Sequence, residues 1–217
     1  MSATLAPSRV VPAEYRGLAR QFRDRIAQED DPARLMLAGL VRPITERIKQ
    51  RRLLTPRSEV LAGVADQWRR KFPQRGRLDL CIAVDLRRKT LLIDETRLTA
   101  SAYRDRLWDR SEIGLILLAV RLDVGPRRYE IGTKTLAHVS LHALARRFQR
   151  GSDVGEDAIK RDLLALREAH PGLTDLANGA DVFVQVVDGS WRGNVALMDN
   201  SRGGVHVALA VRTFLAR

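Results

Sequence analysis

Cysteine is almost missing from this 217-residue chain: Cys81 stands alone. An intramolecular disulfide and a cysteine-rich zinc site are therefore excluded, and a reducing compartment, the cytoplasm, is the expected location. Long apolar runs are missing too. No stretch approaches the roughly 20 apolar residues that a membrane helix needs, so no membrane span is expected. The opening residues, MSATLAPSRVVP, lack the charged segment and apolar core of a secretory signal. No GxxxxGK[ST] loop and no strand-associated GxGxxG occur, which argues against a nucleotide-fold ATPase or dehydrogenase. No GxSxG elbow occurs either. No repeat of fixed period and no low-complexity tract interrupts the chain, and nothing in it calls for a cofactor.

What is present is an ordinary apolar content, 45%, enough to bury a core and to exclude wholesale disorder. It comes with a formal net charge of +12. The excess is not uniform. Residues 1–75 hold 16 basic and 8 acidic side chains, residues 76–150 hold 15 and 9, and residues 151–217 hold 7 and 9. Nearly all the basic residues are arginines, since Lys49, Lys71, Lys89, Lys134 and Lys160 are the whole lysine set. Arginine's planar fork suits phosphate and stacks on bases, although a GC-rich genome gives the same bias. The magnitude favours an anionic partner. Nucleic acid comes first, with an acidic protein or an anionic membrane surface as the other candidates.

Periodicity divides the chain near residue 75. Tyr15, Leu18, Ala19, Phe22 and Ile26 recur at helical spacing, and residues 13–50 read as helices broken at Pro32 and Pro43. Thr55-Pro56 starts another helix with a stripe of Val60, Leu61, Val64 and Trp68. Pro73 to Arg77 marks a boundary. Beyond it, 78–85 and 90–93 alternate like a strand pair with Cys81 buried, 115–122 reads as a buried strand, and 99–110 as a short helix. Residues 135–150 predict a helix ended by Gly151, and 154–169 predict another, stopped by His170-Pro171-Gly172. Strands then follow at 181–187, 191–198 and 205–215, joined by turn residues. The expected class is α+β: a basic helical region over 1–75, then an α+β domain over 76–217 with a mainly antiparallel sheet and a C-terminal three-stranded meander.

Three constellations could carry chemistry. On a 135–150 helix, His138 and His142 would stack, with Arg146 and Gln149 or Arg150 continuing the row. Imidazoles as acid and base beside a guanidinium that holds phosphate would suit a metal-independent nuclease. A zincin is excluded, because Val139 stands where HExxH needs glutamate. The C-terminal strands could gather Gln185, Arg192, Asn194, His206 and Arg212 on one face, a shallow groove for phosphate. In that pattern Val205, Val207, Leu209, Val211, Thr213 and Leu215 are the core side and Phe214 lies opposite. Finally, Asp85, Asp94-Glu95 and Asp181 loosely resemble the carboxylates of an RNase H-like layout, which would hold metal. The acid-free 135–150 helix counts against it, and no metal site is expected.

The leading expectation is therefore a nucleic-acid-binding protein, for RNA or DNA. Arg51, Arg52, Arg69, Arg70, Lys71, Arg87, Arg88, Arg146, Arg150, Arg192 and Arg212 are its candidate phosphate contacts. Were it to cleave, His138, His142 and His206 are the candidate acid and base groups. The alternatives are an assembly subunit that docks an acidic protein and an enzyme acting on a small anionic substrate. Oligomeric state is not set by the sequence.

Overall fold

The computed structural model describes residues 10–28, 58–71, 76–105, 110–126, 129–199 and 205–217. A first helix, α1, covers residues 13–28. It is followed by α2 (Ser58–Lys71), β1 (Arg77–Asp85), β2 (Thr90–Asp105), β3 (Arg110–Val124) and β4 (Tyr129–Ser140). Then come α3 (Leu141–Arg150), α4 (Glu156–Ala169), a 3-10 turn at His170–Leu173, and β5 (Asp181–Val186), β6 (Gly189–Asp199) and β7 (Val205–Ala216). The strands form one sheet in the order β1-β2-β3-β4-β7-β6-β5. Every pair is antiparallel except β4 with β7, which is parallel. The class is α+β. No helix of the described residues is long and apolar enough to cross a membrane.

The alternation of side chains along paired strands gives the sheet two faces. One face carries Leu98, Leu115, Leu117, Val139, Val195, Leu209 and Val211 into a large core with α1, α3 and α4. Ala19, Phe22 and Ile26 are the buried stripe of α1, and Phe22 meets Phe148 of α3 edge-on at 6.2 Å. The opposite face carries Leu91, Ile93, Val120, Leu122 and Val124 against Leu61, Val64, Ala65 and Trp68 of α2. The two described helices before residue 76, α1 and α2, are thus packed onto the sheet.

Four local expectations are corrected. The stretch 99–110 is not a short helix, because β2 runs unbroken to Asp105 and pairs residue by residue with β3. The helix expected over 135–150 begins only at Leu141. Residues up to Ser140 pair with β3 on one side and, at 137–139, with β7 on the other. That segment is buried on both faces, so no alternation betrays it as a strand. Ser140 is the cap of α3, its hydroxyl accepting the N–H of Ala143 at 3.1 Å. Phe214 lies on the core side, because an irregularity opposite Arg192/Gly193 shifts the register of β7. It stacks edge-on with Trp191 at 4.9 Å. Lastly, Cys81 is exposed, since β1 is an edge strand and Cys81 sits opposite Asp94 on its open side.

His170, on the 3-10 turn, pins that turn to β7 through its Nε2 and the carbonyl of Val207 at 3.0 Å. Burial is the main cause that lowers its pKa from the ordinary histidine value, opposed by the Val207 bond and reinforced by Lys134. The unfolded chain therefore binds a proton that the native chain refuses. Stability is expected to fall as pH drops below about 6.5, the unfolded value, and to level off below the folded one. His170→Asn should flatten that part of a stability-against-pH curve measured by urea unfolding. An unchanged curve would remove His170 as its source.

Candidate functional site

The sheet does not gather the three candidate histidines. His138 lies on β4, fully buried on the α2 side of the sheet between Ile116 and Ala210 of the flanking strands. His142 is exposed on the first turn of α3. His206 is half-buried on β7. It shares the face of His138 but sits four residues from Ala210, about 13 Å along the strand direction. The stacked His138/His142 row is replaced by a strand residue and a helix residue.

The arginines fall into two populations. Arg146 is buried and donates to Oε1 of Gln149 at 2.9 Å; burial, then Arg150, lowers its pKa. Arg150 donates to the carbonyl of Phe214 at 2.7 Å. Arg192 bridges to Asp181 at 3.2 Å and lies over the ring of Phe183 at 5.3 Å. Arg212 is half-buried at the irregular part of β7. Arg69 and Arg70, by contrast, are exposed at the C-terminal end of α2, with Arg69 3.4 Å from Asp66. Arg87 and Arg88 are exposed in the turn between β1 and β2. That turn abuts the start of α2, where the Ser58 hydroxyl donates to the carbonyl of Leu86. Arg16 and Arg20, exposed one turn apart on α1, belong to the same population, although no basic run in the sequence marks them. Lys71 ends α2. Arg51 and Arg52 lie outside the described residues.

Two polar centres are buried rather than exposed. Glu95, fully buried on β2, accepts from Trp68 Nε1 at 2.6 Å and from Arg77 Nε at 3.2 Å, with Arg97 Nε at 3.5 Å. A carboxylate so engaged does not serve as the metal ligand of an RNase H-like site. Among the described residues no cluster of histidine, cysteine and carboxylate groups is arranged to hold a metal ion.

Arg147 forms the second centre. Its side chain, 1% exposed, donates through Nε to Asp162 at 2.5 Å, through Nη1 to the carbonyl of Asp153 at 3.0 Å and through Nη2 to Asp188 at 3.3 Å. Its guanidinium also lies 5.3 Å from the ring centre of Phe214. Asp162 in turn receives Trp191 Nε1 on its carbonyl. The Ser152 hydroxyl, then the backbone N–H groups of 153 and 152 and the charge of Arg147, hold the Asp188 carboxyl below its usual range. A cavity of about 330 Å3 borders this centre, lined in part by Arg161, Asp162, Ala165, Gln185 and Val187. Nothing in the sequence singles out Arg147, which stands on the apolar side of α3. A buried arginine is legible only when its partners, here 15 and 41 residues away, are known.

Ala196, Ala208 and Ala210 are buried together on the α2 side of the sheet. One row across that face reads Thr99, Ile116, His138, Ala210, Asn194 and Asp181. Gln185, Arg192 and His206 lie on the same face, but Asn194 and Arg192 both turn to Asp181.

Comparison of the chain with protein-family models, with curated proteins and with solved structures finds no match in any of the three.

Proposed function

We propose that this protein binds nucleic acid in the cytoplasm, RNA or DNA, through arginines on its N-terminal and central elements, and that it binds rather than cleaves. One contrast carries the reading. Of the described arginines after residue 145, Arg146, Arg147 and Arg150 are spent inside the fold, on Gln149, Asp162, Asp188 and the carbonyl of Phe214, and Arg167 and Arg192 are paired with Asp79 and Asp181. Arg16, Arg20, Arg70 and Arg87 are exposed, and among the described residues no acidic side chain pairs with them. The turn at Arg87-Arg88 and the pair Arg69-Arg70 flank the two ends of α2, roughly 18 Å apart along its axis. That span covers several phosphates of a nucleic-acid strand. The separation of His138, His142 and His206 favours binding over acid–base catalysis, which needs the groups within hydrogen-bond reach of one another or of one substrate.

The test is a salt titration with labelled duplex DNA, single-stranded DNA and structured RNA. Affinity should fall linearly on logarithmic axes, with a slope set by the number of phosphates neutralised. The quadruple change Arg69→Glu, Arg70→Glu, Arg87→Glu and Arg88→Glu should weaken binding by at least tenfold and flatten the slope. Failure to bind any of the three at about 50 mM salt ends the reading and leaves an acidic protein as the partner of this surface.

A further inference from the structure

We infer that β5 is a self-pairing edge, through which two copies of this chain join their sheets antiparallel into one continuous sheet. The strand closes the sheet at one end, and among the described residues no backbone group bonds to its outer side. Natural edge strands guard that open row of N–H and C=O groups with lysine, proline, a bulge or a covering element. The opposite edge is guarded in this way. β1 has an irregularity between Arg77 and Asp79, and both residues are charged, with Asp79 clamped by Arg167 of α4. β5 reads Asp-Val-Phe-Val-Gln-Val, with no basic residue, no proline and regular pairing throughout. Two of its exposed side chains are apolar, Phe183 at 51% and Val187, just past the strand, at 79%, and they alternate with Asp181 and Gln185.

A second copy is the occupant that the charge distribution favours. Residues 151–217 carry two more acidic than basic side chains, whereas residues 1–150 hold all of the positive excess. The β5 edge is thus the end of the sheet where two strongly basic molecules approach with least repulsion. Its sequence is also self-complementary about a two-fold axis at Val184. Val182 would then face Val186 of the partner subunit, Phe183 would face Gln185 of the partner subunit, and Asp181 would face Val187 of the partner subunit. No like charges meet, and alternate valines extend the buried layer. The rings of Phe183 are already held, since Arg192 lies over each and is itself fixed by Asp181. Six residues form a small interface, so association belongs in the micromolar range rather than the nanomolar.

The experiment is sedimentation equilibrium of the full chain, treated with nuclease and kept in about 0.3 M salt, over about 5 to 300 µM. Nucleic acid is absent, so the result stands apart from the binding test above. A monomer–dimer equilibrium is expected. Phe183→Lys and Gln185→Lys, both at exposed positions, should each raise the dissociation constant at least tenfold while leaving the thermal midpoint of the dilute protein unchanged. Amide exchange over 181–186 should slow as concentration rises. A chain that stays monomeric at the highest concentration, or a dimer that neither lysine weakens, overturns the proposal.

Discussion

Glu95→Ala is expected to lower folding stability by about 3–5 kcal/mol, the usual loss when one member of a buried ion pair is removed. Glu95 is fully buried, and the side chains of Arg97 and Arg77 are only 7% and 13% exposed. Truncation removes the carboxylate that Arg77 and Arg97 share at low dielectric. It also strands the indole N–H of Trp68, itself 1% exposed, and opens space under α2. For a chain of this length the thermal midpoint should fall by roughly 10 °C. Glu95→Gln keeps the size and an acceptor for Trp68 and should lose less. Urea unfolding of both variants checks the ordering, and a loss under about 1 kcal/mol for the alanine variant would mean that water replaces the carboxylate. The effect is structural: Glu95 ties α2, which ends in Arg69 and Arg70, to β1 and β2, whose connecting turn carries Arg87 and Arg88.

Much of the fold is legible where one face of an element meets water. α1 shows its buried residues at Ala19, Phe22 and Ile26, and α4 runs Glu156–Ala169 against an expected 154–169. Strand positions after residue 180 follow from alternation, as at Val182 and Val184 against Asp181, Phe183 and Gln185. Legibility fails where both faces are covered. Residues 136–140 are all buried, so their spacing fits a helix as readily as a strand, and only the pairing with β3 and β7 decides it. The parallel β4–β7 contact joins residues about 70 apart and leaves no local trace. The reassignment of Phe214 has the same origin, because a single register irregularity inverts every later residue of a strand.

The candidate site was legible in its charge and not in its geometry. Composition gives the sign of the partner, but whether an arginine faces solvent depends on contacts far along the chain. Arg146 and Arg147 are neighbours, and both are buried, one on Gln149 and the other on carboxylates from α4 and the β5–β6 turn. Asp181 likewise draws Arg192 and Asn194 out of the groove that their alternation suggests.

Gly151 offers the sharpest test of the Arg147 centre, because its substitution should change sign with the residue at 147. Gly151 has φ −78° and ψ 146°, extended backbone open to any residue, so no left-handed turn requires glycine here. Space does. A Cβ at 151 would lie 1.5 Å from Nη1 of Arg147. The end of an exposed arginine would swing aside, but this one is buried and fixed by Asp162, the Asp153 carbonyl and Asp188. Displacing it breaks those bonds and leaves Asp162, 6% exposed, without its cation. Gly151→Ala should therefore cost about 3 kcal/mol, close to the about 3–5 kcal/mol expected for Arg147→Ala. In the Arg147→Ala background, or with methionine at 147 if alanine leaves too little folded protein, the guanidinium is gone, and the carbonyl of residue 147, 3.0 Å from the added Cβ, need yield by only a few tenths of an ångström. There Gly151→Ala should stabilise the chain by about 0.4–1 kcal/mol, since alanine narrows the unfolded ensemble and its backbone fits. Urea unfolding of the four chains of this double-mutant cycle measures the coupling. Additive losses would show that Gly151 answers to its own backbone and not to the guanidinium beneath it.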